Sequence, residues 1–473
     1  MSFSAVFKRF VDGAPFCVAY RALMGNILAP ARLDTLFRKT AQAQYERKVL
    51  FSSLVDIASQ VVCRASPSIN EVYVRQREQF NASIKAVYDK FGNIETRTSE
   101  ALLQHVAERA RRLIQRCRGK IKPLLPGYRV RILDGNHLGK THHRLGVLRK
   151  TKAGALPGQS LVLLDPQAKL IDKIVCCEDG HAQERSLLDR VLDDIQKKDL
   201  LIEDRNFCTL CFLFALKGKK AFFIMRKHGR MPCELQGKRR YVGRTDTASV
   251  YDQTCAITHP TTKEVTHLRY LTLVLNTPTV DGDTEIHLLT NLPAKVTAVQ
   301  VAQLYRRRWT IEQAFNELTM HLRCELQSLG VPKAALFALS VAACAYNLLA
   351  VAKAALHGVH GEKVAETKVS NYYITNEISR VHGGMTLAVP EEEWAVFETM
   401  SLDKLARHIS RWIAKVDLSK YPKSPRGPKK PKRKLPNAQF QHVATSRLLE
   451  KERLAKKRKA KRAKQLIQKT SGP

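Results

Sequence analysis

The chain reads as an α/β protein: a mixed sheet with a β-rich insertion subdomain, plus a helical N-terminal domain and a helical C-terminal region. Three observations predict this. Between residues 128 and 226, strand-like runs joined by turn residues give way to strands alternating with helical stretches. Residues 227–296 are β-like and show little helical periodicity. Before residue 125 and after residue 297, apolar side chains recur at three- and four-residue spacing, as on one face of a helix.

Residues 1–125 contain helical stretches such as 50–62 and 100–114, and Arg109, Arg111, Arg112, Arg116 and Arg118 crowd the end of the second. They are expected to form a helical DNA-binding domain, the alternative being a bundle with a solvated basic face. No helix-turn-helix is evident. Residues 128–134 read as a strand ending in a carboxylate. Strands follow at 159–164 and 169–177 around the turn Asp165-Pro166, then an amphipathic helix at 181–197. A short buried strand at 200–204, an apolar helix at 207–216 and a strand at 221–226 complete the first part of a mixed α/β domain, 126–226. The β-rich insertion, 227–296, holds strands at 251–259, 265–276 and 285–290, with Asp281-Gly282 as a turn. Thr297-x-x-Gln300 is a capping box opening a helix expected to run to about Gln327, with Gly330 as its stop. With a buried helix at 334–352 it completes the domain over 297–355. Residues 356–418 read as a helical C-terminal region and 419–473 as a basic tail, disordered or marginally helical.

Charge narrows the partner class. Eighty Lys+Arg against 43 Asp+Glu give the 473-residue chain a net charge of +37. The tail holds 19 of the basic residues against two Glu, so an excess of 20 remains on the body. Such a surplus calls for a polyanion, nucleic acid before a membrane surface. An apolar content of 44% excludes a collagen-like or wholly disordered chain. Eleven scattered cysteines, an odd number, fit reduced thiols in a cytosolic setting, and no charged-then-apolar leader opens the chain. The 334–352 stretch nears membrane-spanning length. It is Ala-rich and holds Ser340, Tyr346 and Asn347, which favours a helix in a protein core.

Two carboxylates stand out. Asp134 ends an apolar strand before Gly135-Asn136-His137, and Asp204 ends 200–203 before a helix. A carboxylate in such a setting is costly to bury alone, although a turn-capping role is the other reading of Asp134. Strand ends of this kind converge on one crevice. Two carboxylates meeting there call for a cation, and Mg²⁺ prefers oxygen ligands. Asp165, before Pro166, reads as a turn residue. On the 297–327 helix, Tyr305, Arg308, Glu312 and Thr319 lie at offsets 0, 3, 7 and 14, which project onto an arc of roughly 60°. Asn316 and Arg323 share that stripe, which is either a functional face or an ordinary polar side.

Within the insertion, Lys238, Arg239, Arg240 and Arg244 interleave with Tyr241 and Tyr251, a pattern suited to phosphate contacts and base stacking, or to plain surface charge. His142 and His143, near Lys140 and Arg144, would line a DNA channel or sit in a mobile basic loop. Cys208-x-x-Cys211 lacks a second such pair, and Cys176-Cys177 are adjacent, so these read as core thiols and not a zinc site.

Tyr305-Arg-Arg-Arg308-Trp-Thr-Ile-Glu312 resembles the Tyr-x2-Arg-x3-Glu-x6-Lys signature of bacterial insertion-sequence transposases of the DDE class. Leu133-Asp134-Gly135 and Asp204-Arg205-Asn-Phe look like that family's first and second acidic motifs, and Asn347-Leu348 fits its downstream pattern. The resemblance covers roughly residues 128–352. It implies an RNase H-like catalytic domain in which Asp134, Asp204 and Glu312 hold two Mg²⁺ ions, with Mn²⁺ able to substitute. It further implies that Tyr305 and Arg308 hold a DNA end, and Thr319, Arg323, Arg239 and Arg240 complete the expected DNA-binding set. Thr319 stands where the family has Lys; Arg323 is the nearest replacement charge. The implied activity is cleavage at transposon ends and strand transfer into target DNA. The implied partners are double-stranded DNA and a second copy of the chain in a synaptic complex, in a bacterial cytoplasm near the nucleoid and without a membrane. An endonuclease of the same fold without strand transfer, or an impaired DNA-binding derivative, are the alternatives.

Overall fold

A computed structural model describes residues 3–44, 48–118, 121–139, 157–279, 282–326, 328–424 and 451–459. His142 and His143 and most of the basic tail lie outside the described residues; 451–459 is helical. The N-terminal region is built of α1 (Ala5–Gly13), α2 (Pro15–Ile27), α3 (Pro30–Thr40), α4 (Phe51–Val62), α5 (Ile69–Arg75), α6 (Ile84–Asn93) and α7 (Thr96–Arg118). Serine caps start three of them: the side chains of Ser4, Ser68 and Ser83 accept from the third backbone N–H of α1, α5 and α6.

The strands are β1 (Arg129–Leu138), β2 (Gly158–Asp165), β3 (Leu170–Cys177), β4 (Asp199–Glu203), β5 (Phe222–Arg226), β6 (Glu234–Arg244), β7 (Ala248–Thr258), β8 (Val265–Leu275) and β9 (Glu285–Thr290). Between β3 and β4 runs α8 (Leu188–Leu192), and between β4 and β5 runs α9 (Leu210–Gly218). All nine strands join one sheet in the order β3-β2-β1-β4-β5-β9-β8-β7-β6. β1, β2 and β3 are antiparallel neighbours, and β4 and β5 add parallel to β1. The β-rich insertion therefore extends the sheet, with β9 pairing directly to β5. Asn291 and Thr290 reinforce that seam. Asn291 Oδ1 accepts from Phe223 N and its Nδ2 donates to Ala221 O, both at 2.9 Å, while the Thr290 hydroxyl donates to Phe223 O at 2.6 Å.

Alternation along the strands sorts the two cores. Val130, Ile132, Leu200 and Ile202 join a large cluster with the N- and C-terminal helices, while Leu133 and Leu201 join a smaller one with α8 and α9. Burial on both faces explains the near-continuous apolar runs of β2 and β4. The chain then completes the large core with α10 (Ala298–Arg306), α11 (Trp309–Met320), α12 (Pro332–His360), α13 (Glu362–Lys368), α14 (Asn371–Ala388), α15 (Glu391–Glu398) and α16 (Leu402–Ile413). α12 is long and apolar enough to cross a membrane, yet its most apolar 18-residue window is wholly buried inside the protein.

Several expectations need correction. The 1–125 and 356–418 helices share one core with the sheet and do not close off cores of their own. Four of the five arginines at the end of α7 have partners within the fold, and Arg112 is exposed. Arg111 pairs with Asp165 and Asp172, Arg116 with Asp403, Arg118 with Glu362, and Arg109 donates to Asn26. Strand β1 continues past Asp134 to Leu138, held there by β2. The helix expected at 181–197 shrinks to a 3-10 turn (Glu184–Leu187) and α8. Asp194 is drawn to the buried Arg131, 2.6 Å away, and Lys198 turns the chain at a φ of 70°. The helix expected over 297–327 is two. Arg307 N and Arg308 N bond to Leu304 O and Tyr305 O, a tighter turn that separates α10 from α11 without Gly or Pro. α11 stops at Met320 because Arg323 N leaves the helix to bond Val62 O of α4. Cys208 is buried as a core thiol, but Cys211 is exposed.

Candidate active site

The parallel register of β1 and β4 sets Ile132 against Ile202 and Leu133 against Glu203. Two-residue alternation then turns Asp134 and Asp204 to the same face, the face of Ile132 and Ile202. α11 lies against β1 on this side, bringing the third carboxylate. Arg308, at the N-terminus of α11, joins them. Its Nη1 is 3.4 Å from Asp134 Oδ2 and its Nη2 is 2.8 Å from Glu312 Oε1. Asp204 and Tyr305 also act on this guanidinium electrostatically, and Asp204 acts on Asp134. Asp134 and Glu312 thus meet at one half-buried cation, Arg308, with Asp204 near enough to act on it through space.

Burial dominates the electrostatics. It pushes Asp134 up to about 6; Arg308 and the Gly135 N–H pull back, while Asp204 and Glu184 add to the push. Burial and the nearby Asp204 also raise Tyr305, so its hydroxyl stays a hydrogen-bond donor at neutral pH. For Arg308, burial works against the charge, but Tyr305, Asp204, Glu312 and Asp134 together hold its pKa above the ordinary value.

The remaining expected residues are dispersed. Thr319 lies on α11, its hydroxyl donating to Phe315 O one turn back at 2.9 Å. Arg323 lies past the end of α11, and its Nη1 donates to Pro67 O at 2.9 Å, so it does not extend the stripe of Glu312. Arg239 and Arg240 are on β6, the outermost and almost wholly exposed strand. Arg239 stands 4.0 Å from the Tyr251 ring centre, and Tyr241 meets Tyr251 edge-on at 5.6 Å. β6 and β7 come against α10, the helix carrying Tyr305, so this basic and aromatic strand adjoins the helix that serves the acidic cluster.

Sequence reasoning gave no role to two neighbours, Trp309 and Glu184. Trp309 is 59% exposed beside Arg308, at 5.4 Å from its guanidinium. Glu184 reaches over Gly135 to His137 and to Asn206. Trp309 stood within the quoted signature, but Glu184 lay in an apparent helix with nothing to mark it.

Carboxylate oxygens are the donor type that Mg²⁺ prefers, and Asp134 and Glu312 both lie beside Arg308. As the side chains stand, no three His, Cys, Asp or Glu among the described residues are grouped closely enough to hold a metal ion. The guanidinium occupies the intervening position.

Residues 125–348 match the family described as "Transposase DDE domain". A 152-residue stretch is 33% identical to a protein of Sinorhizobium fredii (strain NBRC 101917 / NGR234) named "Putative transposase y4zB". The match covers 32% of this chain and 42% of that relative, so the chain spans less than half the relative's length. A cryo-EM structure of the piggyBac transposase synaptic complex with hairpin DNA is similar at a TM-score of 0.39 and 12% identity, over 84% of each chain.

Proposed function

We propose, from the match of residues 125–348 to the family described as "Transposase DDE domain", that this protein is a DNA transposase. It would cleave transposon ends and join them to target DNA in a Mg²⁺-dependent reaction. The observation carrying this reading is that Asp134 of β1 and Glu312 of α11, far apart in the chain, meet at Arg308, with Asp204 at the end of β4 turned to the same face and acting on the same guanidinium. An RNase H-like catalytic domain is part of the proposal, and the order β3-β2-β1-β4-β5, with β2 antiparallel to its neighbours, supports it.

Asp134, Asp204 and Glu312 would hold two Mg²⁺ ions, Mn²⁺ substituting, which when bound activate the attacking oxygen and steady the leaving one. The chain's own residues prepare the DNA. Arg308 exchanges Asp134 and Glu312 for a phosphate of the DNA end, which its planar fork can grip through two parallel bonds. The protonated Tyr305 hydroxyl donates to the same backbone. Trp309 offers an exposed face on which a displaced base stacks, and Arg239, Arg240 and Tyr241 on β6 hold the flanking duplex. Two copies would pair two DNA ends in the bacterial cytoplasm.

Duplexes cut from the DNA flanking the gene provide the test. Asp134→Ala, Asp204→Ala and Glu312→Ala are each expected to abolish Mg²⁺-dependent cleavage while leaving duplex binding within about threefold. A variant that still cleaves removes its residue from the site. Strand transfer from precleaved ends separates a transposase from a nuclease that only nicks.

A further inference from the structure

Beside the three acids stands a fourth carboxylate, Glu184, with only 16% of its side chain exposed. Its Oε1 is 3.2 Å from His137 Nε2, three residues beyond Asp134 on β1. Its Oε2 accepts from Asn206 Nδ2, two residues beyond Asp204. Arg185, the next residue, donates from Nε to Asn206 O at 2.5 Å, so the same short turn holds the β4–α9 loop twice. The carboxylate lies flat over Gly135, where an added Cβ would fall 1.9 Å from Oε1 and 2.4 Å from Cδ. Any side chain at residue 135 would push the Glu184 carboxylate out of this position, although the φ of Gly135 is not in the left-handed range.

Each bond of Glu184 therefore ends just past a different catalytic aspartate. The backbone ladder joining β1 to β4 stops at Leu133 and Glu203, one residue short of both aspartates. Among the described residues, strand pairing between the two segments goes no further. We propose that Glu184 is a positioning residue that takes over from the ladder. It clamps the His137 and Asn206 segments at fixed spacing, and with them the separation of Asp134 and Asp204 that two metal ions require. The inference rests on the DDE reading of those aspartates. Groups of this kind, which hold ligands without touching the metal, are worth on the order of ten- to a hundredfold in metal affinity.

The discriminating substitution is Glu184→Gln. A glutamine keeps both bridges: its carbonyl accepts from Asn206, and its amide donates to the unprotonated nitrogen of a neutral His137. A clamp survives this change, whereas a metal ligand or an essential negative charge does not. Mn²⁺ binding to the full-length protein, read by electron paramagnetic resonance of the free ion, is expected to weaken ten- to a hundredfold in Glu184→Ala. In Glu184→Gln it should stay within threefold of the parent, and both metal-free variants should melt within about 2 °C of it. Gln as weak as Ala would overturn the clamp, and so would Ala as strong as the parent. If Glu184→Ala does not fold, Asn206→Ala carries the test from an exposed position, and unchanged Mn²⁺ affinity there refutes the clamp. Asp134→Ala separates the two layers of argument. If it binds Mn²⁺ like the parent, the DDE reading itself fails; if it loses binding while Glu184→Ala does not, only the clamp falls.

Discussion

Asp134 is raised from 3.8 to about 6, first by burial, against the pull of Arg308 and the Gly135 N–H and with a further push from Asp204 and Glu184. A carboxyl whose folded pKa lies above its unfolded value binds protons more tightly in the folded state, so stability falls as pH rises through that interval. Below about pH 4 both states are protonated and the site costs nothing; above about pH 6 the full cost is present. At about 1.4 kcal/mol per tenfold change in proton affinity, and with the side chain partly exposed, that cost is about 1 to 3 kcal/mol. Asp134→Asn should therefore raise the melting temperature of the metal-free protein at pH 7.5 and leave it unchanged near pH 4. Thermal melts by circular dichroism in EDTA across pH 4–8 check this; a gap independent of pH would mean that ionisation of Asp134 is not its source. Such a built-in cost is what the proposed metal-holding role of Asp134 entails.

Among the elements, α12 shows how a polar residue in an apolar helix is satisfied. Asn347 accepts from Ile171 N and donates to Ile171 O, both at 2.9 Å, on the outer side of β3, which is an edge strand of the sheet. Asn347→Leu keeps the volume but orphans two buried backbone groups. It should cost on the order of 3 kcal/mol in urea unfolding, and a loss below about 1 kcal/mol would show that the latch is idle. Much of this level was legible beforehand. β2, β3, β8 and β9 and the start of α10 follow period, turn residues and the Thr297–Gln300 capping box to within a residue or two. That Asp134 and Asp204 end neighbouring strands on one face was legible from strand alternation, while Glu312 was singled out by the resemblance of its motif. What was not legible depended on distant contacts. The turn at Arg307 and Arg308 has no Gly or Pro to announce it, α11 is cut short by Val62 of another helix, and Glu184 acquires its role only through residues 47 positions before and 22 after it.

Over the whole molecule, the question is where a net charge of +37 is available to a partner. Arg109, Arg111, Arg116 and Arg118 of α7 have partners within the fold, which leaves β6 and the C-terminal segment as the conspicuous basic stretches. The last described turn before the tail is anchored, with Tyr421 buried, Ser370 N bonding Tyr421 O, and Lys423 N bonding Lys368 O. Truncation should therefore begin at residue 425, which removes 17 Lys/Arg against two Glu and spares the anchor. The slope of log affinity against log salt for a random duplex should flatten by on the order of 5. Fluorescence anisotropy between 50 and 300 mM NaCl measures it, and an unchanged slope would assign the tail no role in holding DNA. The sheet itself sets a mechanical condition. Because β9 is stitched to β5 by strand pairing and by Asn291 and Thr290, the finger bearing Tyr241 and the palm bearing Asp134 are cut from one plate. Such a plate has no hinge line along a strand that can open without tearing a row of backbone bonds. Whatever gripping motion the protein makes on its cargo must be borne by helices and loops, with the palm and finger travelling together like the jaw of a fixed wrench.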